Sequence, residues 1–244
     1  MNRLDALRPV IAEAHSIRLI EEGIYSVLPD IPHPHQYDSY AGMYDFLVKS
    51  RLYNQLIWGD SPQSYMAFAQ DAVDSTPDGW ILDAGCGSLL FSAQAHRECR
   101  RPVLACDQSL DMLRRARQRL MAIDGSVPER IFLLQADLSD LPFRAASFHT
   151  ILCLNVLHHY ATVPDLVSGF RALLANGGQI YLTSLVMSNR FIGDHYLGLL
   201  HRRGWIVKPR KDTELRDLLR ESLGVRMTYR TQGNMAYART AGVA

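Results

Sequence analysis

Apolar residues recur at helical spacing over the first part of the chain: Leu4, Leu7, Ile11, Ala14, Ile17, Ile20, Ile24 and Leu28. That period predicts an amphipathic helix over 1–28, with Pro9 either in its first turn or splitting off a short leading piece. The stretch "LPDIPHPHQ" then breaks the pattern with three prolines. The aromatic run "YDSYAGMYDFLVKSRLYNQLIWGDSPQSYMAFAQDAV" predicts further helix in parts. Its own apolar area is too small to stand alone, so residues 1–76 are expected to form an N-terminal helical cap or lid on a main domain spanning 77–244.

From Trp80 the pattern becomes alternating strands and helices. "WILDA", "PVLACD", "RIFLLQAD", "FHTILCLNV" and "QIYLTSLV" read as five buried strands. Between them, "LLFSAQAHREC", "SLDMLRRARQRLMA" and "VPDLVSGFRALLA" read as helices, the second with Ser109 as N-cap and the third ended by Asn176-Gly177-Gly178. "GVRMTYRT" and "NMAYARTA", split by Gln232-Gly233, predict a terminal hairpin. Strand–helix alternation of this kind predicts a parallel sheet covered on both faces. In such sheets ligands bind beyond the carboxyl ends of the strands, where strand order switches. Asp83, Asp107, Asp137 and Asn155 all fall at such ends and are expected to converge on one crevice.

The turn "ILDAGCGSLLFS" decides what the crevice holds. A dinucleotide loop offers backbone N–H groups to a pyrophosphate, and Asp83, two residues before the first glycine, would repel that anion. Leu90 also occupies the last position of a G-x-G-x-x-G pattern, and there is no Gly-Lys-Ser/Thr for a Walker loop. The ligand therefore lacks a phosphate near the loop. S-adenosyl-L-methionine (SAM) meets that condition. A carboxylate at the first strand tip suits its ammonium, and Gly85 and Gly87 let the backbone approach its amino-acid part. Asp107 can accept hydrogen bonds from both ribose hydroxyls, and Asp137 one from the adenine amino group.

With "LDAGCGS", "ACDQSLDMLRRAR", "LLQADLSDLPF", "FHTILCLNVLHHY" and "LLANGGQIYLTS" in this order, the chain resembles the class I SAM-dependent methyltransferases, in the small-molecule branch that includes quinone-biosynthesis and natural-product enzymes. The resemblance covers about 37–240 and is specific over 80–186. It implies an α/β fold: a Rossmann-like, seven-stranded, mostly parallel sheet with helices on both faces and an antiparallel last strand. It further implies that Asp83, Gly85 and Gly87 face the methionine part and that Asp107 binds the ribose. Gln108 would lie against the adenine, Asp137 and the Leu138 backbone at its edge, and Asn155 near the sulfonium. Tyr44 and Trp58 would close over the cofactor. The departure is Leu89, where many relatives have glycine.

Methyl transfer is an in-line displacement that needs position and a dry site, with a base only where the acceptor loses a proton. His158 and His159, directly after the fourth strand tip, are the candidate catalytic bases. Adjacent residues on a strand point oppositely, so one metal would not take both, and no metal is expected. The segment "RFIGDHYLGLLHRRGWIVKPRK" forms part of the acceptor wall by resemblance; its cations, Arg202 and Arg203 among them, favour an acceptor with a carboxylate or phosphate. Tyr37, Tyr40, Tyr44 and Tyr53 are candidates for lining that pocket. The run Arg114, Arg115, Arg117, Arg119 reads as a solvated helix face.

A net charge of +1 argues against a general nucleic-acid partner, and Asn155-Val156-Leu157-His158 lacks the Pro-Pro-aromatic that grips an extruded base. No apolar run is long enough to span a membrane, the N-terminus has no secretory h-region, and four scattered cysteines suit reduced thiols in the cytoplasm. The expectation is a SAM-dependent methyltransferase with a small-molecule acceptor, and a homodimer contact through the N-terminal helix. Two alternatives stay open: a SAM-consuming enzyme that cyclises or fragments its ligand, and a non-catalytic SAM-responsive protein.

Overall fold

Among the described residues, aliphatic runs between glycine turns become nine strands of one sheet, ordered β1-β2-β5-β4-β3-β6-β7-β9-β8. The computed structural model describes residues 3–12, 16–29, 49–76 and 78–242. The strands are β1 (Arg18–Glu21), β2 (Ile24–Ser26), β3 (Trp80–Ala84), β4 (Val103–Asp107), β5 (Ile131–Gln135), β6 (Phe148–Cys153), β7 (Leu174–Leu185), β8 (Met227–Gln232) and β9 (Met235–Thr240). The run from β2 through β7 is parallel. The terminal hairpin is antiparallel, β9 inserting between β7 and β8. The mostly parallel Rossmann-like sheet is therefore as expected.

The strand count is not, and the difference lies at the N-terminus. The helix predicted over 1–28 does not form among its described residues. Arg3–Leu7 is one 3-10 turn, and residues 18–26 are the β1–β2 hairpin, turning at Gly23 with φ +73°. A glycine inside a helix costs about 1 kcal/mol, whereas here its left-handed φ makes the turn. β2 then pairs in parallel with β5, Ile24 opposite Leu133, covering an edge that would otherwise present unpaired backbone groups. Leu7, Val10 and Tyr25 bury against Phe132 and Phe143. Residues 3–12 and 16–29 thus extend the sheet and its core, and the N-terminal helix on which a homodimer contact was expected is absent there. Further helical structure before β3 includes Arg51–Tyr53, the π-turn Asn54–Trp58 and α1 (Pro62–Asp74).

The remaining helices are α2 (Ala93–Glu98), α3 (Leu110–Asp124), α4 (Val163–Leu173), α5 (Phe191–Arg202) and α6 (Asp212–Leu223). Ser109 caps α3 as predicted, its side chain accepting from Met112 N at 3.2 Å. Strand residues alternate between two buried layers. Leu82, Leu104, Phe132, Leu134 and Ile151 meet α4 and α6. Ile81, Val103, Ile131, Leu133 and Leu152 meet α1 and α3. Burial on both faces is what makes these strands read as continuous apolar runs.

Three of the four arginines of α3 are tethers, where the sequence suggested a solvated face. Arg114 binds Glu21 at 2.9 Å and Asp111 at 2.8 Å, Arg117 donates to the Glu22 carbonyl, and Arg119 donates to Ser88 in the glycine turn. They fix the β1–β2 hairpin and that turn to one helix.

Candidate functional site

Strand order reverses at β3, which has β4 on one side and β6 on the other. Beyond the carboxyl ends of β3 to β6 lies a cavity of about 430 Å³, within the usual range for small-ligand sites. Asp83, Gly85, Gly87, Asp107, Gln108, Asp137, Leu138, Asn155 and His159 line it. No lysine or arginine does so among the described residues, so the three strand-tip aspartates set its field.

The glycine turn explains how the backbone reaches the cavity. Gly85 has φ +71°, and a Cβ there would stand 2.6 Å from Val156 Cγ2. Gly87 has φ +52° and donates its N–H to Asp107 Oδ2 at 2.8 Å. Asp107 Oδ1 accepts from Ser109 N at 2.9 Å, so one carboxylate ties the turn to the start of α3. Leu89 also sits at positive φ, +55°, with its side chain fully buried. The helix after the turn starts at Ala93, four residues later than the apolar pattern suggested.

Asp83 is held from behind. Its Oδ2 accepts from Ser92 Oγ and from His96 Nε2, both at 2.7 Å, in a buried network. Both bonds end on one oxygen. Asp137 Oδ1 accepts from Ser139 N at 2.8 Å. Asn155, at φ +60°, is pinned to β7: its N–H donates to Thr183 Oγ1 at 2.9 Å, and Thr183 Oγ1 donates to Asn155 Oδ1 at 3.2 Å.

The two histidines, whose rings pack 4.1 Å apart between centroids, take different places. Both lie on the 3-10 turn Leu157–His159 that follows β6. His159 faces the cavity and His158 does not. His158 is buried behind it, its Nδ1 accepting from Leu185 N at 3.4 Å with Ser184 Oγ at the same distance. His158 thus anchors the turn to β7 and is out of reach of a ligand in the cavity. Burial holds the His158 imidazole well below its usual pKa, with His159 and Arg210 adding to the effect. Burial brings His159 down to about 4, against an opposing hydrogen bond to the Trp205 backbone carbonyl. Both rings are therefore neutral near pH 7.

Trp58 does not close over this cavity. It packs edge-on against Tyr53 and Tyr196, at 6.5 and 5.4 Å between ring centroids, with Leu197, Leu200 and Ile206. Tyr53 goes with it into that cluster; Tyr37, Tyr40 and Tyr44 lie outside the described residues. Phe91, Met112 and Tyr160 line the cavity without having been singled out as ligand contacts. Burial and the nearby Asp137 raise the Tyr160 phenol above its usual range. Its only signal in the sequence was its place after the histidine pair. Among the described residues no His/Cys/Asp/Glu group is arranged to hold a metal, and no helix is long and apolar enough to cross a membrane.

Comparison with known proteins agrees with this geometry. Residues 81–178 match a family described as a methyltransferase domain. The chain is 28% identical over 151 residues to an uncharacterized chloroplastic methyltransferase of Arabidopsis thaliana, covering 60% of this chain and 42% of that protein. It is 26% identical over 147 residues to a ubiquinone biosynthesis O-methyltransferase of Idiomarina loihiensis, covering 59% and 57%. The chain thus spans about half the length of these curated relatives. A solved structure of phosphoethanolamine N-methyltransferase 2 from Haemonchus contortus, in complex with SAM, superposes with a TM-score of 0.63 at 12% identity, covering 90% of this chain and 62% of that one. That likeness carries the fold.

Proposed function

From the premise that residues 81–178 are a methyltransferase domain on the class I, SAM-dependent fold, we propose that the chain methylates a small molecule at an atom that gives up a proton, with His159 receiving that proton. The carrying observation is the cavity itself: aspartates at three successive strand tips, with His159 on the same wall. These residues fit SAM, a cation without phosphate. Asp107 would hold the ribose, Asp137 with the Leu138 backbone the adenine edge, and Gln108 the adenine face. Gly85, Gly87 and Asn155 would lie along the methionine part, with Asp83 facing its ammonium. When bound, SAM supplies a methyl group already activated by a sulfonium.

The residues' own contribution is position and proton transfer. His159, half-buried on the cavity wall, presents a neutral imidazole whose ring lone pair can take the proton. A weak base suffices, because the acceptor proton becomes strongly acidic as the new bond forms. The O-methyltransferase relative supports a hydroxyl acceptor. Arg190 and Arg210 are occupied by backbone and side-chain oxygens, and Lys208 by Glu214. The expectation of an anionic acceptor therefore rests on Arg202 and Arg203, exposed at the end of α5, and on Lys211, exposed just before α6.

The test is calorimetry with S-adenosylhomocysteine, then product analysis with SAM and catechol as the hydroxyl probe, with bulk tRNA and phosphoethanolamine in parallel. Micromolar binding and S-adenosylhomocysteine released only with catechol support the reading. Methylthioadenosine formed without acceptor, or transfer to tRNA alone, overturns it.

A further inference from the structure

A strap from the segment after α5 runs along the turn that carries His159. Val207 N donates to the His158 carbonyl at 3.1 Å. Arg210 ends the strap and is 3% exposed. Its Nη2 donates to the Tyr160 and Ala161 carbonyls at 2.7 Å each, and Nη1 lies 3.4 Å from the Leu157 carbonyl. The Arg210 backbone is itself fixed, its carbonyl accepting from Met187 N at 2.8 Å just beyond β7. One guanidinium therefore links the end of β7 to the Leu157–Ala161 turn beyond β6.

We propose that Arg210 is the positioning residue of the site, holding the Leu157–Ala161 turn so that His159 and Tyr160 face the cavity. A buried guanidinium is an expensive group to keep; desolvation lowers the Arg210 pKa, and no carboxylate forms an ion pair with it among the described residues. What it has instead is the planar fork that matches several carbonyls at once. The turn has few bonds of its own, His159 N to the Val156 carbonyl at 2.8 Å and Tyr160 N to the Leu157 carbonyl at 3.2 Å. An apolar residue at 210 would strip the Tyr160 and Ala161 carbonyls of this partner and leave the Leu157 carbonyl with Tyr160 N alone. The turn would then open to hydrate them, carrying His159 outward.

The importance of this for catalysis rests on His159 acting as the proton acceptor, but its test needs no turnover. Arg210→Met and Arg210→Lys are compared with the wild type by hydrogen exchange, by NMR titration of His159 and by calorimetry with S-adenosylhomocysteine. In Arg210→Met, exchange at the His159 and Tyr160 amides is expected to speed up about tenfold or more. The His159 titration point should rise by about one pH unit or more toward that of a hydrated imidazole, while ligand affinity stays within about threefold. Lysine keeps the charge without the fork, and intermediate values are expected. Wild-type exchange and titration in Arg210→Met overturn the proposal. If that variant does not fold, wild-type values in Arg210→Lys do so. Undiminished transfer by His159→Gln would remove the base reading alone and leave Arg210's hold on the turn to be judged by exchange.

Discussion

Leu89 gives the glycine turn a quantitative test. Its φ of +55° puts an L-residue in the left-handed region, at a cost of about 1–2 kcal/mol. Its side chain is fully buried with Ile81, Ala93 and Leu113, and truncating a buried leucine to alanine costs about 3–5 kcal/mol. Packing thus outweighs strain, which is why leucine is tolerated at this left-handed position. Leu89→Ala loses the packing and keeps the strain. Leu89→Gly loses slightly more packing but sheds the strain. At an ordinary negative φ the glycine variant would be less stable than the alanine variant by about 0.5–1 kcal/mol. Here the left-handed φ offsets or reverses that gap, so Leu89→Gly is expected to be as stable as Leu89→Ala, or more stable by up to about 1 kcal/mol. Urea unfolding at pH 7 with matched slopes measures the difference directly. A glycine variant weaker than the alanine variant by about 1 kcal/mol would refute the left-handed assignment and the account of the turn built on it.

Further predictions follow from the same cavity. Asp107→Ala frees two backbone N–H groups and removes the expected ribose acceptor; S-adenosylhomocysteine affinity by calorimetry should fall about 100-fold, the worth of one or two charge-assisted bonds, and a loss under about threefold would count against this cavity as the cofactor site. Gly85→Ala forces a Cβ to 2.6 Å from Val156 at φ +71°, so affinity should drop about tenfold or more while the fold survives by circular dichroism. His159, at about 4 in the folded chain, binds a proton more readily when unfolded, so its contribution to stability is complete above about pH 6.5 and is lost as pH falls toward 4. Each pH unit in that window costs up to about 1.4 kcal/mol. His159→Gln should flatten the pH dependence of urea midpoints between 6.5 and 4.5, and an unchanged slope would show that the ring is already hydrated.

What could be read from the sequence follows from how local each cause is. The strands from Trp80 onward announce themselves because both of their faces are buried, and each ends in a polar residue before a turn; Asp83, Asp107 and Asp137 needed no long-range knowledge to be placed together. The hairpin at 18–26 was illegible for the opposite reason. Ile17, Ile20 and Ile24 fit a helical period, and what overrides it is the edge of β5, far along the chain, which β2 pairs. Trp58 misled similarly, since its ring is claimed by Tyr196 of α5. The histidine pair shows where legibility ends. Backbone geometry of an extended strand would point adjacent rings apart, but on this 3-10 turn they pack with centroids 4.1 Å apart; which of them lines the cavity was not legible. That choice is made by partners from elsewhere, β7 holding the His158 ring through Leu185 and the 205–210 strap holding the turn through Arg210. The cofactor half of this site is thus written in strand-tip residues that any α/β pattern exposes. The half proposed to be catalytic depends on a segment after β7 whose sequence looks like a basic surface loop until Arg210 is found turned inward on carbonyl groups.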